Sequence, residues 1–518
     1  MKQTKILWVD DEIEILKAHI LFLEQKGYQV KALNNGMDAV ELIEKEQFDI
    51  VFLDENMPGL SGIETLEKIK MINAQIPVVM ITKSEEESIM EDAIGSNIAD
   101  YLIKPVKPNQ ILLSLKKNLE NKKLVSEKTI SSYQQEFRNI SMELSNHLNY
   151  QEWVDLYKKL VRWELSLDLS QDESMSDILI QQKEEANALF CKYISRNYMD
   201  WFAESTEETP ILSHTLLTKK VLPLIKKDKP LFLFVIDNLR YDQWKSIEPL
   251  LEPFFYTDKE ELYYSILPTA TQYARNSMFA GMMPLDIQKK LPDYWINEVE
   301  EEGKNSFESE LLQNLLSRSG NDNSFSYHKI LNMDFAKRLL TKFPNLLNNQ
   351  LNVIVYNFVD MLSHARTEMD VLKELAEDES AYRSITKSWF EHSPLFDMLK
   401  YIANKGAQVI ITSDHGSIRV KNALQIVGDK ATSSNLRYKT GKSLSYNPKD
   451  VFEIRNPHEA LLPKQQLSSS YIFARQADYF AYKNNFNYYA SHYKNTFQHG
   501  GISMEEVMIP IIKLSPKK

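Results

Sequence analysis

A chain of 518 residues has room for about three domains, each large enough for its own core. Its single cysteine, Cys191, excludes an internal disulfide framework and suits a reducing cytoplasm. A net charge of −11 argues against broad coating of nucleic acid, and neither a signal-peptide pattern nor an apolar run of the ~20 residues needed to span a membrane is evident.

Residues 1–120 alternate short apolar runs with helical patterns. Residues 6–9, 49–54, 78–82 and 101–104 read as strands of a βα repeat with a parallel sheet. Asp10, Asp11, Asp54, Thr82 and Lys104 fall at the ends of strands one, three, four and five, so they are expected to meet at the sheet's C-terminal edge. The set reads as a phosphate acceptor. Asp54 is the carboxylate nucleophile, Asp11 and Asp54 hold Mg²⁺ through hard oxygens, and Asp10 supports the metal through water. Lys104 neutralises the acyl phosphate and Thr82 hydrogen-bonds its oxygens. With the run Asp54-Glu55-Asn56-Met57-Pro58 and Tyr101 ahead of Lys104, the segment resembles the receiver domain of two-component response regulators. That resemblance implies a doubly wound five-stranded fold, adds Asn56 to the magnesium site, and implies that Thr82 and Tyr101 move together on phosphorylation.

Residues 121–206 differ in character, with almost no Pro or Gly and with apolar residues at helical spacing, as in Trp153, Leu156, Tyr157, Leu160, Trp163 and Leu167. They are expected to form a helical bundle linker whose tryptophans lie on an apolar face.

Residues 207–518 carry the second constellation. Asp237 ends the most apolar run of the chain, residues 231–236; Asp360 follows residues 353–359, and Asp414 follows residues 409–413. Each run has the length and composition of a buried strand, so three strand ends present carboxylates to one rim. His364 lies one helical turn after Asp360, His415 adjoins Asp414, and His499 arrives from far downstream. Mixed Asp and His ligands suit two borderline divalent ions such as Zn²⁺. Thr271 is the candidate nucleophile, since a metal lowers the pKa of a hydroxyl and fixes the alkoxide. The residues after it are helix-compatible, which sets Thr271 at an anion-favouring helix N-terminus with Arg275 one turn on as a clamp for a phosphoryl oxygen.

This constellation resembles the alkaline phosphatase superfamily, specifically its PglZ branch, over residues 228–518. The resemblance implies an alkaline-phosphatase-like α/β sandwich and phosphoester hydrolysis through a phospho-enzyme. It assigns one Zn²⁺ to Asp360, His364 and His499, and the other to Asp237, Thr271, Asp414 and His415. A threonine nucleophile is similar to the diesterase members.

The insert at residues 416–449 is basic, and Arg437, Lys439 and Lys442 are candidates to hold a polyanionic substrate such as a short or cyclic oligonucleotide. A solvated loop is the competing reading. Residues 284–344 read as a cap or interface. The order of receiver, helical segment and PglZ-type domain resembles the PorX-type response regulators of the type IX secretion system. That implies a sensor histidine kinase as phosphodonor, a sigma factor or secretion component as partner, and a homodimer on phosphorylation. No helix-turn-helix or long basic reading segment is evident, so direct duplex DNA reading is not expected. The alternative function is a signalling scaffold that binds a sigma factor, with zinc structural and hydrolysis vestigial.

Overall fold

The computed structural model describes residues 4–73, 76–83, 98–170, 173–202, 209–227, 229–297, 303–320, 324–368, 378–429, 432–464, 466 and 468–517; side chains at 119–128, 170, 173–174 and 364–368 lie outside that description. Residues 1–134 and 135–518 form two compact units.

In the first unit five parallel strands, β1 (Lys5–Val9), β2 (Gln29–Leu33), β3 (Ile50–Asp54), β4 (Val78–Thr82) and β5 (Asp100–Ile103), are ordered β2-β1-β3-β4-β5. The order reverses between β1 and β3, and an open parallel sheet leaves a crevice at such a point. Buried apolar side chains pack on both faces of the sheet, one set around Leu7, Val51 and Val78, the other around Trp8, Phe52 and Ile81. That is why β1, β3 and β4 read as continuous apolar runs.

The second unit is built on β6 (Leu231–Ile236), β7 (Phe255–Tyr264), β8 (Phe325–Ile330), β9 (Leu351–Tyr356), β10 (Gln408–Thr412) and, at the chain's far end, β18 (Met508–Pro516). Their order is β7-β18-β10-β6-β9-β8, with β10, β6, β9 and β8 parallel and β18 antiparallel to both neighbours. Every residue of β6 is buried, as its unbroken apolar run requires at the centre of a two-sided sheet. Phe234→Ala there would cost about 3–5 kcal/mol. The run at residues 353–359 does not end as a strand. β9 stops at Tyr356 and the helix Phe358–Glu368 follows, so Asp360 stands in a first helical turn rather than at a strand end.

The helices Tyr150–Ser170 and Glu173–Asn197 pack within this same unit. Arg383 ties them in: its guanidinium lies 2.8 Å from Glu164, 2.6 Å from Asp168 and 3.0 Å from Asp242. Lys183 adds a 2.6 Å pair to Glu164, and Asn187 donates to Glu505 at 3.0 Å. Trp153, Leu156, Tyr157 and Leu160 are buried on the apolar face that their spacing traces. Among the described residues no helix is long and apolar enough to cross a membrane.

The described residues of the insert, 416–429 and 432–449, are folded. β11 (Ile418–Arg419) pairs with β17 (Phe497–Gln498), β12 (Asn422–Ile426) with β16 (Asp478–Tyr482), and β13 (Tyr438–Gly441) joins β15 (Ser470–Ala474) and β14 (Val451–Ile454).

Candidate active site

Parallel β6 and β10 bring Asp237 and Asp414 side by side. Beyond β6 the chain turns at once: Asn238 takes a left-handed φ of 65°, and its N–H faces Asp414 Oδ1 at 3.4 Å. Leu239 N–H donates to Ser413 Oγ at 2.9 Å. From β7, Tyr263 donates to the Ser413 carbonyl at 2.6 Å, and Ser265, just past that strand, donates to the Asp414 carbonyl at 2.7 Å. The backbone carrying both carboxylates is therefore pinned from three sides. Thr271 is the first residue of the helix Thr271–Ala280, half-buried, with its hydroxyl 3.1 Å from His415 Nε2.

The donor atoms have the arrangement of a metal site. His415 Nδ1 donates to the Gly416 carbonyl at 3.2 Å, which leaves the Nε2 lone pair facing the carboxylates. Asp237 Oδ1 lies 3.7 Å and Asp414 Oδ2 3.5 Å from that nitrogen. Neighbouring ligand atoms around a tetrahedral zinc are about 3.3 Å apart, given metal–ligand distances near 2 Å. Both oxygens are buried and neither receives a hydrogen bond, with Arg275 Nη1 standing 3.7 Å from Asp414 Oδ2. Orphaned buried carboxylate oxygens are costly, and a cation is the group that would satisfy them. The residues present therefore fit a divalent ion.

Charge agrees with geometry. Burial, with Asp237 beside it, pushes Asp414 up to about 8. Burial raises Asp237, but the Arg275 guanidinium together with His415 and His499 outweighs it and holds that carboxyl below its ordinary range. Burial pushes His415 down to about 4, so its imidazole is neutral and able to ligate.

A second group adjoins the first. The His415 and His499 rings stack with centroids 4.2 Å apart. His499 Nδ1 donates to the Thr269 carbonyl at 3.1 Å, and its Nε2 lies 3.7 Å from Asp360 Oδ1. His364 belongs to the helix that carries Asp360, but its side chain lies outside the described residues. Gly500 has φ 119°, and a Cβ there would come within 2.7 Å of Asn435 Oδ1 and Tyr438 Cδ1, so only glycine lets the His499 loop close.

In the first unit Lys104 Nζ lies 2.9 Å from Asp10 and 2.7 Å from Asp54. Asp10, Asp11 and Asp54 each offer an oxygen to one small space, with Asp10 and Asp54 buried and Asp11 exposed. Burial raises Asp54 to about 6, opposed by its hydrogen bond from Lys104 and assisted by Asp10. Thr82 donates to Glu55, while Asn56 and Tyr101 are exposed.

Three basic residues expected to face substrate do not. Arg275 is fully buried; its Nη1 lies 2.7 Å from Asp237 Oδ2 and its Nε donates to Glu308 at 2.7 Å, so it holds a carboxylate instead of waiting for a phosphoryl oxygen. Arg437 is likewise buried, paired with Glu506 at 2.6 Å, and Gly501 N–H donates to the same carboxylate at 2.9 Å, so the pair buttresses the His499 loop. Lys439 is buried, donating to the Ser433 carbonyl at 2.8 Å, with Nζ 4.8 Å from the centre of the Tyr482 ring. Arg275 and Arg437 found buried carboxylates far away in sequence, and Lys439 a carbonyl of its own insert, none of which counting charges along the chain can show. Lys442 alone of the insert's three candidates is exposed. Glu308, Tyr327 and Lys329 gather behind Arg275, and nothing local in the sequence marks them.

A doubly wound sheet with a lysine-bridged acidic pocket, followed by a mixed sheet whose strand ends gather Asp, His and Thr, defines a response-regulator receiver on the same chain as an alkaline-phosphatase-like domain. Residues 216–514 match the model described as the BREX system PglZ alkaline phosphatase-like domain, and the chain belongs to that family. Residues 6–116 match the response regulator receiver domain and residues 123–202 the PorX response regulator linker domain; this order matches a PorX-type regulator. The receiver is similar to the transcriptional regulatory protein ZraR of Klebsiella oxytoca, 37% identical over 123 residues, or 24% of this chain and 28% of that protein. It is also similar to the transcriptional regulatory protein ResD of Bacillus subtilis, 33% identical over 114 residues, or 22% of this chain and 47% of that one. The chain spans less than half the length of these curated relatives. Among solved structures, a CheY-like receiver domain protein from Methanospirillum hungatei JF-1 is similar at 28% identity over 23% of this chain and 96% of that one, with a TM-score of 0.23.

Proposed function

We propose that this protein is a cytoplasmic response regulator whose phosphorylation at Asp54 controls a zinc-dependent phosphodiesterase in its C-terminal part. The observation that carries the reading is the meeting of Thr271 Oγ, His415 Nε2 and the two orphaned oxygens of Asp237 and Asp414. In this reading Asp237, Thr271, Asp414 and His415 hold one Zn²⁺, and Asp360, His364 and His499 hold the other. Bound zinc supplies Lewis acidity that lowers the pKa of the Thr271 hydroxyl and of water.

The chain's own residues do the rest. Thr271 Oγ attacks phosphorus, forming a Thr–O–P bond as the bond to the leaving alcohol breaks and that alcohol takes up a proton. Water then displaces Thr271, releasing a phosphomonoester and restoring the hydroxyl. The helix Thr271–Ala280 aims its N-terminal N–H groups at the anion throughout. In the receiver, Asp10, Asp11, Asp54 and Asn56 form the Mg²⁺ site, Asp54 accepts a phosphoryl group from a sensor histidine kinase, and Lys104 neutralises the product. Thr82 gives up Glu55 to bond a phosphoryl oxygen, and Tyr101 follows.

The PorX-type domain order supports homodimer formation on phosphorylation, a sigma factor or secretion component as partner, and a role in type IX secretion. We take an oligonucleotide-type phosphodiester as the substrate, with Lys442 the insert's remaining candidate for a phosphate contact.

The test is turnover of bis(p-nitrophenyl) phosphate by the full-length protein as isolated, after chelation, and with Zn²⁺ restored. Activity lost on chelation and recovered with zinc supports the reading. Activity that survives chelation, or full zinc loading with no diester turnover either with or without beryllofluoride at Asp54, refutes it.

A further inference from the structure

Behind Asp237 lies a cluster that the reaction does not touch. Arg275, fully buried, is surrounded by acceptors: Nη1 forms ion pairs 2.7 Å from Asp237 Oδ2 and 3.7 Å from Asp414 Oδ2, Nε donates to Glu308 Oε1 at 2.7 Å, and Nη2 lies 2.7 Å from the Asn305 side-chain amide, whose oxygen accepts from it when turned toward the guanidinium. Glu308 is itself buried, at 1% exposure, and its second oxygen takes the Tyr327 hydroxyl and lies 3.2 Å from Lys329 Nζ. Glu308 opens the helix Glu308–Arg318, which packs against the helix carrying Thr271 and Arg275. Gly281 ends that second helix in the left-handed conformation, φ 61°, which favours glycine, and it lies against Leu315 of the helix Glu308–Arg318.

This arrangement divides Asp237 between two jobs. Oδ2 is committed to Arg275, and Oδ1 is left open toward His415 Nε2 and Asp414 Oδ2. Arg275 carries one positive charge and touches carboxylates on two sides. With Glu308 charged, part of the Arg275 charge is matched from behind, and Asp237 is not its sole partner. Without that charge, the buried guanidinium and Lys329 would both draw on Asp237 and repel a cation brought to its other oxygen.

We propose that Glu308 is a positioning residue which, through Arg275, orients Asp237 and reserves its Oδ1 for a divalent cation. The proposal rests on the metal-site reading of the preceding subsection. Groups that orient ligating side chains typically change metal affinity 10–100-fold when removed.

The experiment compares full-length wild type, Glu308→Gln and Glu308→Asp, metal-free and then titrated with Zn²⁺ against a chromophoric chelator and with Co²⁺ followed by its visible absorption. Glu308→Gln keeps the shape and one acceptor but not the charge. Affinity of one of two sites falling about 10–100-fold, with a changed Co²⁺ spectrum and partial recovery in Glu308→Asp, is the expected result. Wild-type affinity and spectrum in Glu308→Gln overturn the proposal, even if the metal-free protein is less stable, because that is what a merely structural pair would do. Should Glu308→Gln fail to fold, Tyr327→Phe removes a single hydrogen bond to Glu308. A several-fold loss of affinity there supports the proposal, and none overturns it. Wild type that takes up no metal at all defeats the hydrolase reading itself, whereas two sites in wild type and two unaltered sites in the variants defeat only the role of Glu308.

Discussion

The Thr271 hydroxyl lies 3.1 Å from His415 Nε2, although 144 residues separate them along the chain. One sits at the start of a helix after β7, the other three residues past the end of β10. Their meeting puts a hydroxyl within the same few ångströms as two buried carboxylates, and the main expectations about this protein follow from that contact.

Thr271→Val is nearly isosteric and leaves Asp237, Asp414 and His415 in place. Diester turnover is expected to fall by at least about 10³-fold, since a nucleophile is lost rather than a binding contact. Zinc content measured on the same samples is expected to stay above half of the wild-type value, through the remaining ligands. Comparable turnover in the variant would remove Thr271 from the chemistry.

Removal of metal leaves Asp414 with a pKa of about 8, raised by burial and by Asp237 from the ordinary 3.8. A carboxyl raised on folding contributes stability that is complete below its unfolded value and is lost as the pH rises through the folded one. Metal-free protein is therefore expected to lose about 1 kcal/mol per pH unit between pH 6 and 8 in urea unfolding. Asp414→Asn is expected to flatten that slope, and zinc affinity should rise with pH over the same window as binding expels the proton. A flat profile in metal-free wild type would contradict this account.

In the receiver, burial holds Asp54 near 6, with the Lys104 hydrogen bond opposing the rise. Protons and Mg²⁺ compete for this carboxylate, so Mg²⁺ affinity measured by calorimetry is expected to fall about tenfold per unit below pH 6. Lys104→Met should move that midpoint upward, because the ammonium favours the ionised form. Affinity independent of pH between 5 and 7 would exclude Asp54 as a ligand.

Arg437 and Lys442 lie five positions apart in one insert and should behave oppositely. Arg437→Ala strands buried Glu506 without its partner and is expected to cost about 3–5 kcal/mol in denaturant unfolding, with loss of activity as the His499 loop loosens. Lys442→Ala, at an exposed site, should stay within about 0.5 kcal/mol. Equal effects on stability would mean that Arg437 is not a buried strut.

What could be read without coordinates was local. Residues 231–236 announce a central strand because a strand covered on both faces must be apolar throughout, and Asp237 follows because a chain leaving such a strand enters the crevice at its end. Asp10, Asp54, Thr82 and Lys104 are legible for the same reason. The limit already shows at Asp360: the apolar run before it continues past the strand into a helix, since apolar composition over seven residues does not distinguish the two.

Partnership between charges was not local. Arg275 looked like a free clamp one turn from Thr271, and Arg437 and Lys439 looked like a basic grip, because spacing records a charge but not what neutralises it. The fold sets Glu308 against Arg275 and Glu506 against Arg437, and burial then makes each pair obligatory, since an unpaired charge in a low-dielectric interior is too costly to keep. The sequence by itself determined the apolar strands β1, β3, β4, β6 and β10 and the acids beside their ends, because those depend on hydrophobic runs a few residues long. Only the tertiary structure decided which cations face a ligand and which are spent holding the site, because that depends on which distant element closes over each one.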